Sequence, residues 1–295
     1  MADTLLRAAS TNGAIRIFAA ETTELVNRAQ QIHHTYPIAT AALGRLLSAA
    51  AMMGAMLKGE DNTLTLRIKG DGPLGGVLAV SNAHAQVKGY VVNPKVQLPS
   101  KAPGKLDVGG AVGAGTLSVI CDLGLKEPYS AQVALVSGEI AEDITAYYAI
   151  SEQVPSAVAL GVLVAPDGSV IKAGGFILQL MPQATDADAA RLEQVIAGLP
   201  PVTTMLNDEA MSVEDIIFRV TAGFDVFIFE KERLTPVYRC DCSRERVEKA
   251  LISMGREEME KMIAEQDGAE LTCQFCDNVY HFTRAELEQL LRSCR

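Results

Sequence analysis

The sequence lacks an excess of positive charge. Its 295 residues include 26 Lys and Arg against 36 Asp and Glu, which gives a formal net charge of −10. Tight nucleic-acid binding needs a basic patch of about five or six residues that contact phosphates, and the sequence contains no such run. The composition therefore disfavours a specific nucleic-acid partner.

Long uninterrupted apolar runs are also missing. The longest apolar stretch, Ile38 to Leu57, is rich in Ala and contains Arg45, so we interpret it as a packed helix and not as a membrane span. The chain opens Met-Ala-Asp-Thr, without the basic and apolar segments of a secretory signal. These features predict a cytoplasmic protein with reduced thiols and no membrane partner.

Convincing motifs for nucleotide binding and catalysis are missing as well. Gly70–Gly75 matches Gly-x-Gly-x-x-Gly, but Pro73 and the β-prone residues that follow favour a hairpin turn over the helix that a dinucleotide site requires. Gly109–Gly115 lacks the Gly-Lys-Ser/Thr ending of a phosphate loop. No histidine has a nearby Ser or Cys in a recognisable nucleophile motif. We therefore expect a protein that is not an enzyme.

Four of the six cysteines lie in two close pairs near the C-terminus. Cys240 and Cys242 form a Cys-Asp-Cys pair, and Cys273 and Cys276 form a Cys-Gln-Phe-Cys pair. Two tight turns of this kind can aim four thiolates at one point, which suits a single tetrahedral Zn²⁺ ion. Buried structural thiols and permanent disulfides are the alternatives, and the expected reducing location argues against the disulfides.

The other two cysteines have no such pattern. Cys121 lies in an apolar strand, where a buried, inert thiol is the usual state. Cys294 precedes the C-terminal Arg295 and is expected to be exposed. The sequence leaves the roles of both thiols open.

Composition and periodicity predict an α+β fold. With 48% hydrophobic residues, the chain can form two or three units. Residues 1–182 combine strand and helix patterns with many glycines, which predicts an N-terminal domain with a large, mostly antiparallel sheet. Pro166-Asp167-Gly168 is a hairpin signal between the last two strands. The predicted strands are Ile15 to Ala19, Leu64 to Ile68, Val77 to Val80, Val87 to Val92, Thr116 to Cys121, Gln132 to Val136, Ala159 to Val164 and Gly175 to Leu180.

Residues 183–237 have the pattern of a helical linker. Thr185 and Ser212 each open a helix-start sequence, and Pro200-Pro201 ends the first helix. The helices have apolar faces but are too short to persist without tertiary packing. A plain connector packed on its neighbours agrees with the sequence as well as a switch does. The apolar faces contain Leu192, Val195, Ile196, Ile216, Ile217 and Val220.

Residues 238–295 predict a small C-terminal domain. Ser243 and Thr283 are expected to begin helices, Gly255 to end one, and Arg256 to Gln266 to form another. So short a unit cannot form a deep core, and structural zinc contributes about 10–16 kcal/mol of apparent binding energy in small peptides. Zinc-bound thiolates are also what oxidants attack, so oxidation would expel the metal and loosen the domain.

Several longer motifs point to one family. They are Cys240 to Arg246, Cys273 to Cys276 with Tyr280 and Phe282, Glu152 to Val158, Ala173 to Pro182, Leu57-Lys58-Gly59 and Gly89 to Pro94. These motifs resemble those of the bacterial 33 kDa chaperonins, the heat shock protein 33 family. The resemblance covers essentially the whole chain, and the four cysteine positions show no departure from it.

The resemblance implies an ATP-independent holdase that is inactive when reduced and zinc-bound. Oxidative stress combined with unfolding conditions would activate it through the disulfides Cys240–Cys242 and Cys273–Cys276. The helical linker would then unfold, expose client-binding surface and allow a homodimer to form. We expect the apolar linker residues to help hold unfolded clients, namely Leu192, Val195, Ile196, Ile216, Ile217 and Val220.

Two other functional classes remain open. A zinc-ribbon nucleic-acid-binding protein is disfavoured by the net charge of −10, and salt-sensitive binding to DNA or RNA would support it. A thiol-disulfide oxidoreductase would need a reactive dithiol free of zinc. Steady turnover of a disulfide substrate would reveal such an enzyme.

Overall fold

A computed structural model describes residues 2–102, 104–265 and 268–292, so Cys294 lies outside the described residues. The chain divides into two compact units, Met1–Arg239 and Cys240–Arg295. The strands of the first unit are β1 (Thr4–Ser10), β2 (Ile15–Glu21), β3 (Thr63–Gly70), β4 (Val77–Asn82), β5 (Gln86–Val91), β6 (Gly115–Asp122), β7 (Tyr129–Ala134), β8 (Ser156–Val164), β9 (Val170–Leu180), β10 (Val226–Ile228) and β11 (Val237–Tyr238). Its helices are α1 (Thr23–His33), α2 (Pro37–Gly54), α3 (Val108–Val112), α4 (Ala141–Tyr147), α5 (Asp186–Ala197) and α6 (Val213–Val220).

The strands of the first unit form two sheets. One has the order β10-β1-β2-β9-β8 and the other has the order β11-β5-β4-β3-β6-β7. Neighbouring strands are antiparallel except for the parallel pair β11 and β5. The predicted α+β class with mostly antiparallel strands is confirmed, but the strands form two sheets and not the single sheet that was predicted. Both sheets pack on helix α2, which gives their apolar faces a common partner.

Helix α2 is the centre of the first unit. Pro37 occupies its first turn, where the missing N–H of proline costs no helical hydrogen bond. The helix is long and apolar enough to cross a membrane, but 89% of its residues are buried inside the protein. Its one charged side chain, Arg45, reaches Glu139 at 2.7 Å. This arrangement is that of a packed core helix, as the sequence predicted.

Two hairpin turns of the first unit lie where the sequence predicts them. Gly70 to Gly75 connects the antiparallel strands β3 and β4, as the prediction of a hairpin turn requires. Pro166-Asp167-Gly168 likewise connects β8 and β9 in an antiparallel hairpin. Gly168 has a φ of +89°, a conformation that glycine adopts without strain.

Residues 183–237 pack on the sheet that contains β1, β2 and β9. Thr185 and Ser212 begin α5 and α6, and each side chain accepts a hydrogen bond from the helix backbone, as predicted. The apolar faces of both helices join the sheet in a second hydrophobic cluster. The same segment also supplies β10 to one sheet and β11 to the other. The structure groups these residues with the first unit, and their separation as a linker stays a prediction.

The second unit consists of α7 (Arg244–Met254), α8 (Arg256–Glu265), β12 (Gly268–Thr272), β13 (Val279–Thr283) and α9 (Arg284–Leu291). Ser243 begins α7 and Thr283 begins α9, in both cases with the predicted side-chain cap. Gly255 follows α7 with a φ of +92°. Among the residues of this unit that the structure describes, the buried hydrophobic core consists of Leu251, Met259, Ile263, Phe282 and Leu287.

Candidate metal centre

Two turns of the second unit carry the four paired cysteines. Cys240 and Cys242 lie directly before Ser243, whose side chain fixes the start of α7. Cys273 and Cys276 lie in the turn between β12 and β13. Within this turn, the Cys276 N–H donates to the Cys273 carbonyl at 3.3 Å. Each pair is therefore held by local structure that the sequence itself encodes.

The structure brings the four sulfurs together. The Sγ atoms of Cys240 and Cys273 are 3.7 Å apart, and those of Cys242 and Cys276 are 3.5 Å apart. All four Sγ atoms lie within 4.8 Å of one another, and each residue is half-buried. Four thiols at these separations could hold one metal ion.

Hydrogen bonds at one cysteine favour the thiolate form that binds metals. The Tyr280 hydroxyl donates to the Cys242 Sγ at 3.1 Å, and the Asn278 side-chain amide lies 3.6 Å from the same sulfur. Burial disfavours the charge, but the hydrogen bonds outweigh it and lower the pKa of Cys242 to about 7. Burial raises the pKa of Cys240 to about 11. The hydrogen bond to Cys242 also raises the pKa of Tyr280 to about 12.

Arg244 connects the start of α7 to the second half of this unit. Its guanidinium donates to the His281 carbonyl at 3.0 Å, pairs with Glu286 at 2.7 Å and lies 4.3 Å from the centre of the Phe282 ring. In the sequence, Arg244 stands out only as part of a family motif, because a contact across 42 positions has no local signal. The imidazole of His281 faces Glu270 at 3.4 Å and does not join the sulfur cluster.

The predicted client-binding residues are mostly buried in this state. Val195 and Ile196 are half-buried on α5. The other four candidates are buried against the sheet in the second hydrophobic cluster: Leu192, Ile216, Ile217 and Val220. Ile196 packs against the same cluster. Val195 is not part of that cluster. The buried residues would have to be uncovered before they could contact another protein.

Cys121 lies on β6, opposite Leu64 of β3 and far along the chain from the four paired cysteines. It is half-buried, and burial raises the pKa of its thiol. Because a protonated thiol is a poor nucleophile, this cysteine fits the predicted inert role.

Comparison with known proteins gives one consistent result. Residues 3–283 match a family model described as Hsp33 protein. The 33 kDa chaperonin of Desulforamulus reducens is 49% identical over 293 residues, which cover 99% of this chain and 98% of that protein. The 33 kDa chaperonin of Acetivibrio thermocellus is 51% identical over 292 residues, with 99% and 98% covered.

A solved structure agrees with the sequence comparisons. The crystal structure of a 33 kDa chaperonin (heat shock protein 33 homolog) from Thermotoga maritima matches with a TM-score of 0.90 and 38% identity, and 99% of each chain is covered. The resemblance predicted from the sequence motifs is confirmed. This chain belongs to the Hsp33 family.

Proposed function

We propose that this protein is a redox-regulated, ATP-independent molecular chaperone, a holdase that binds unfolding proteins and prevents their aggregation under oxidative and heat stress. Membership of the Hsp33 family and the name 33 kDa chaperonin of its relatives support a chaperone. The observation that carries the redox regulation is the cluster of four thiols in a unit whose described residues form a small hydrophobic core. Such a unit can be switched by chemistry at its sulfurs.

The metal that we propose for the cluster is one Zn²⁺ ion in the reduced state. Zinc–sulfur bonds of about 2.3 Å in a tetrahedron place the sulfurs about 3.8 Å apart. The distances of 3.7 Å and 3.5 Å between the sulfurs fit this edge. When bound, zinc would compensate the negative charge of the four thiolates and hold the two cysteine turns together.

We propose Cys240–Cys242 and Cys273–Cys276 as the disulfides of the oxidised state. Each sulfur–sulfur bond forms as two thiols give up two electrons and two protons. One molecule of hydrogen peroxide accepts them and leaves as two molecules of water. Sulfurs in disulfides are no longer thiolates, so the cluster would lose its affinity for the metal.

Loss of the metal would act on the linker through the chain itself. Strand β11 ends at Tyr238, two positions before Cys240. The backbone N–H groups of Val237 and Arg239 donate to carbonyls at strand β5, and the Tyr238 hydroxyl donates to the Gly89 carbonyl at 2.8 Å. We propose that unfolding of residues 238–295 frees this strand and then residues 183–237, which uncovers the N-terminal domain, residues 1–182.

The uncovered state is the one that we propose to bind clients and to form a homodimer. The client-binding candidates are Leu192, Val195, Ile196, Ile216, Ile217 and Val220, most of which are buried in the present state. We propose a cytoplasmic location, unfolded or partly folded proteins as partners, and no specific nucleic-acid or membrane partner. The chaperone role needs no enzymatic activity.

The test is to measure zinc release and suppression of aggregation together while hydrogen peroxide is added at raised temperature. We expect both signals to rise in parallel for the wild-type protein, with increased binding of a hydrophobic dye. Cys240→Ser should lose zinc without peroxide, whereas Cys121→Ser, outside the cluster, should behave like the wild type. A peroxide-treated protein that has lost zinc but neither binds dye nor suppresses aggregation would contradict the proposal.

A further inference from the structure

The outer edge of strand β1 pairs with residues of the linker. In the antiparallel pair of β1 and β2, successive residues of β1 direct their backbone groups alternately toward β2 and away from it. The residues that point away use the linker as their partner. The bonds are Leu5 N to Leu234 O at 2.9 Å, Leu234 N to Leu5 O at 3.1 Å, Phe229 N to Arg7 O at 2.9 Å and Thr11 N to Asp225 O at 2.8 Å.

The same alternation includes Ala9. Its register partner is Phe227 of β10. This pair lies midway between the hydrogen-bonded pairs Arg7–Phe229 and Thr11–Asp225. The backbone N–H and C=O of Ala9 therefore also face the linker and not β2. Four alternate residues of the chain, at positions 5, 7, 9 and 11, all have linker residues as their partners across this edge.

Removal of the linker would leave an edge with few protective features. Natural edge strands usually carry Pro, several charges or a bulge, which prevent another chain from pairing with them. Strand β1 has the sequence Thr-Leu-Leu-Arg-Ala-Ala-Ser, with Arg7 as its single charge and no Pro. The Arg7 guanidinium lies 4.5 Å from the centre of the Phe229 ring and so packs on a linker residue. A free β1 would thus accept an extended chain as its next strand.

The present occupant shows which side chains this edge accommodates. Val226 and Ile228 of β10 face the second hydrophobic cluster and pack against it. Phe227 and Phe229 lie on the other face of the strand, with ring centroids 4.8 Å apart. Both faces of the occupying strand are therefore apolar. Phe227 remains 45% exposed here. Segments that are apolar on both faces are mostly buried in folded proteins, and unfolding proteins expose them.

We propose that activation turns the β1 edge into a docking site for an extended apolar segment of an unfolding client, which pairs antiparallel with β1 in the place of β10. This inference rests on the proposed chaperone function and specifies how the client would be held. Main-chain hydrogen bonds would give affinity for almost any sequence, and the apolar cluster beneath would favour segments with alternating large side chains.

Two proline variants test the edge. Phe227→Pro and Ala9→Pro both remove the pairing of these two residues, so both should loosen β10 from β1. Only Ala9→Pro also damages β1 itself, and it leaves the bonds to β2 in place because the Ala9 N–H faces away. After full activation, Phe227→Pro should suppress aggregation at least as well as the wild type. Ala9→Pro should need roughly three to ten times more protein for the same effect.

A peptide tests the same edge without any change in the protein. A peptide with the sequence of residues 224–230, Phe-Asp-Val-Phe-Ile-Phe-Glu, and a lysine tail for solubility should compete with a client for the activated wild type. N-methylation of the amides of Phe227 and Phe229, which face β1, should weaken competition by roughly tenfold. N-methylation of Val226 and Ile228, whose amides point away from β1, should weaken it far less.

The possible results distinguish failure of the proposed function from failure of the β1 docking site. If the activated wild type does not suppress aggregation, the proposed function fails and the docking site fails with it. If the wild type is active but the two proline variants act alike and the two methylated peptides compete equally, only the β1 site is wrong. If Ala9→Pro abolishes the homodimer in light scattering while client binding is unchanged, the edge serves a second copy of this chain, and the client proposal is overturned. The reduced variants should keep the circular dichroism and zinc content of the wild type.

Discussion

The two compact units differ in what holds them together. The first unit buries one large apolar cluster around α2 and a second one between its first sheet and the linker. In the described part of the second unit, five buried residues form the core, and the sulfurs of the four cysteines gather beside the turn of a short hairpin. Ordering a residue costs about 1–2 kcal/mol of backbone entropy, which a core this small cannot offset by itself. A bound metal would therefore matter most to the small unit, and the sheets around α2 in the large unit should stay folded without it.

Removal of the metal should have the largest effect on the difference in stability between the two units. A chelator that takes zinc from the reduced protein should unfold the second unit, because it removes about 10–16 kcal/mol of apparent binding energy. Amide hydrogen exchange would show the loss of protection in β12 and β13, while β2 and β9 keep theirs. Protection of β12 and β13 that survived complete zinc removal would show that the small core suffices.

Substitutions of leucine by alanine should reveal the same difference on a smaller scale. Leu287 in the second unit and Leu46 in the first are both 0% exposed, and each change should cost about 2–5 kcal/mol. We propose that folding and metal binding are coupled in the second unit, so Leu287→Ala should weaken zinc affinity by roughly thirtyfold or more. Leu46→Ala should leave zinc affinity unchanged and lower the free energy of unfolding of the first unit. Equal zinc affinities in the two variants would mean that the cluster does not depend on its unit.

Local signals in the sequence predicted much of both units. Thr185, Ser212, Ser243 and Thr283 begin the four helices that their capping patterns indicated. The two cysteine pairs were found from spacing alone, and the structure brings their sulfurs together. These features depend on residues within a few positions of one another, which is the range that a single sequence reveals.

Features that depend on distant partners were missed. Strands β10 and β11 have three and two residues, too few to show alternation, and they exist because β1 and β5 offer them an edge. Strand β7 lies at Tyr129–Ala134, earlier than the predicted Gln132 to Val136, because its register is set by pairing with β6. Strand β1 and helix α1 were not predicted at all. The hydrogen bond from Tyr280 to Cys242 crosses 38 positions and has no local signal.

The buried carboxyl of Asp3 should make the stability of the first unit depend on pH, independently of the metal. Asp3 is 3% exposed and accepts hydrogen bonds from the N–H groups of Glu24 and Leu25 at the start of α1. Burial outweighs these bonds and raises its pKa from 3.8 to about 6. The folded state therefore binds the proton more tightly, and stability rises as the pH falls from about 6 to about 4. The pKa of Asp3 rises by a little over two units, which corresponds to a gain of up to about 3 kcal/mol in the free energy of unfolding.

The measurement is the free energy of unfolding of the first unit in urea at pH 7 and at pH 4.5. Asp3→Asn can still accept one hydrogen bond but has no charge to lose. The difference in stability between wild type and variant should therefore shift in favour of the wild type at the lower pH. A difference that stays constant between the two pH values would show that Asp3 ionises normally.

Tyr280→Phe should have the smallest effect and tests how far the sulfur cluster depends on its own unit. The variant removes the hydroxyl that donates to the Cys242 Sγ at 3.1 Å and leaves the ring in place. A hydrogen bond to a charged group is worth about 1.5 kcal/mol, so zinc affinity should fall by roughly tenfold. Zinc release by peroxide should also become faster, because the thiolate loses a donor that withdraws charge from it. Tyr129→Phe removes a hydroxyl from the first unit and should change neither quantity. If both variants kept wild-type affinity and release rate, the backbone turns alone would set the properties of the cluster, and the second unit would depend on fewer contacts than its hydrogen bonds suggest.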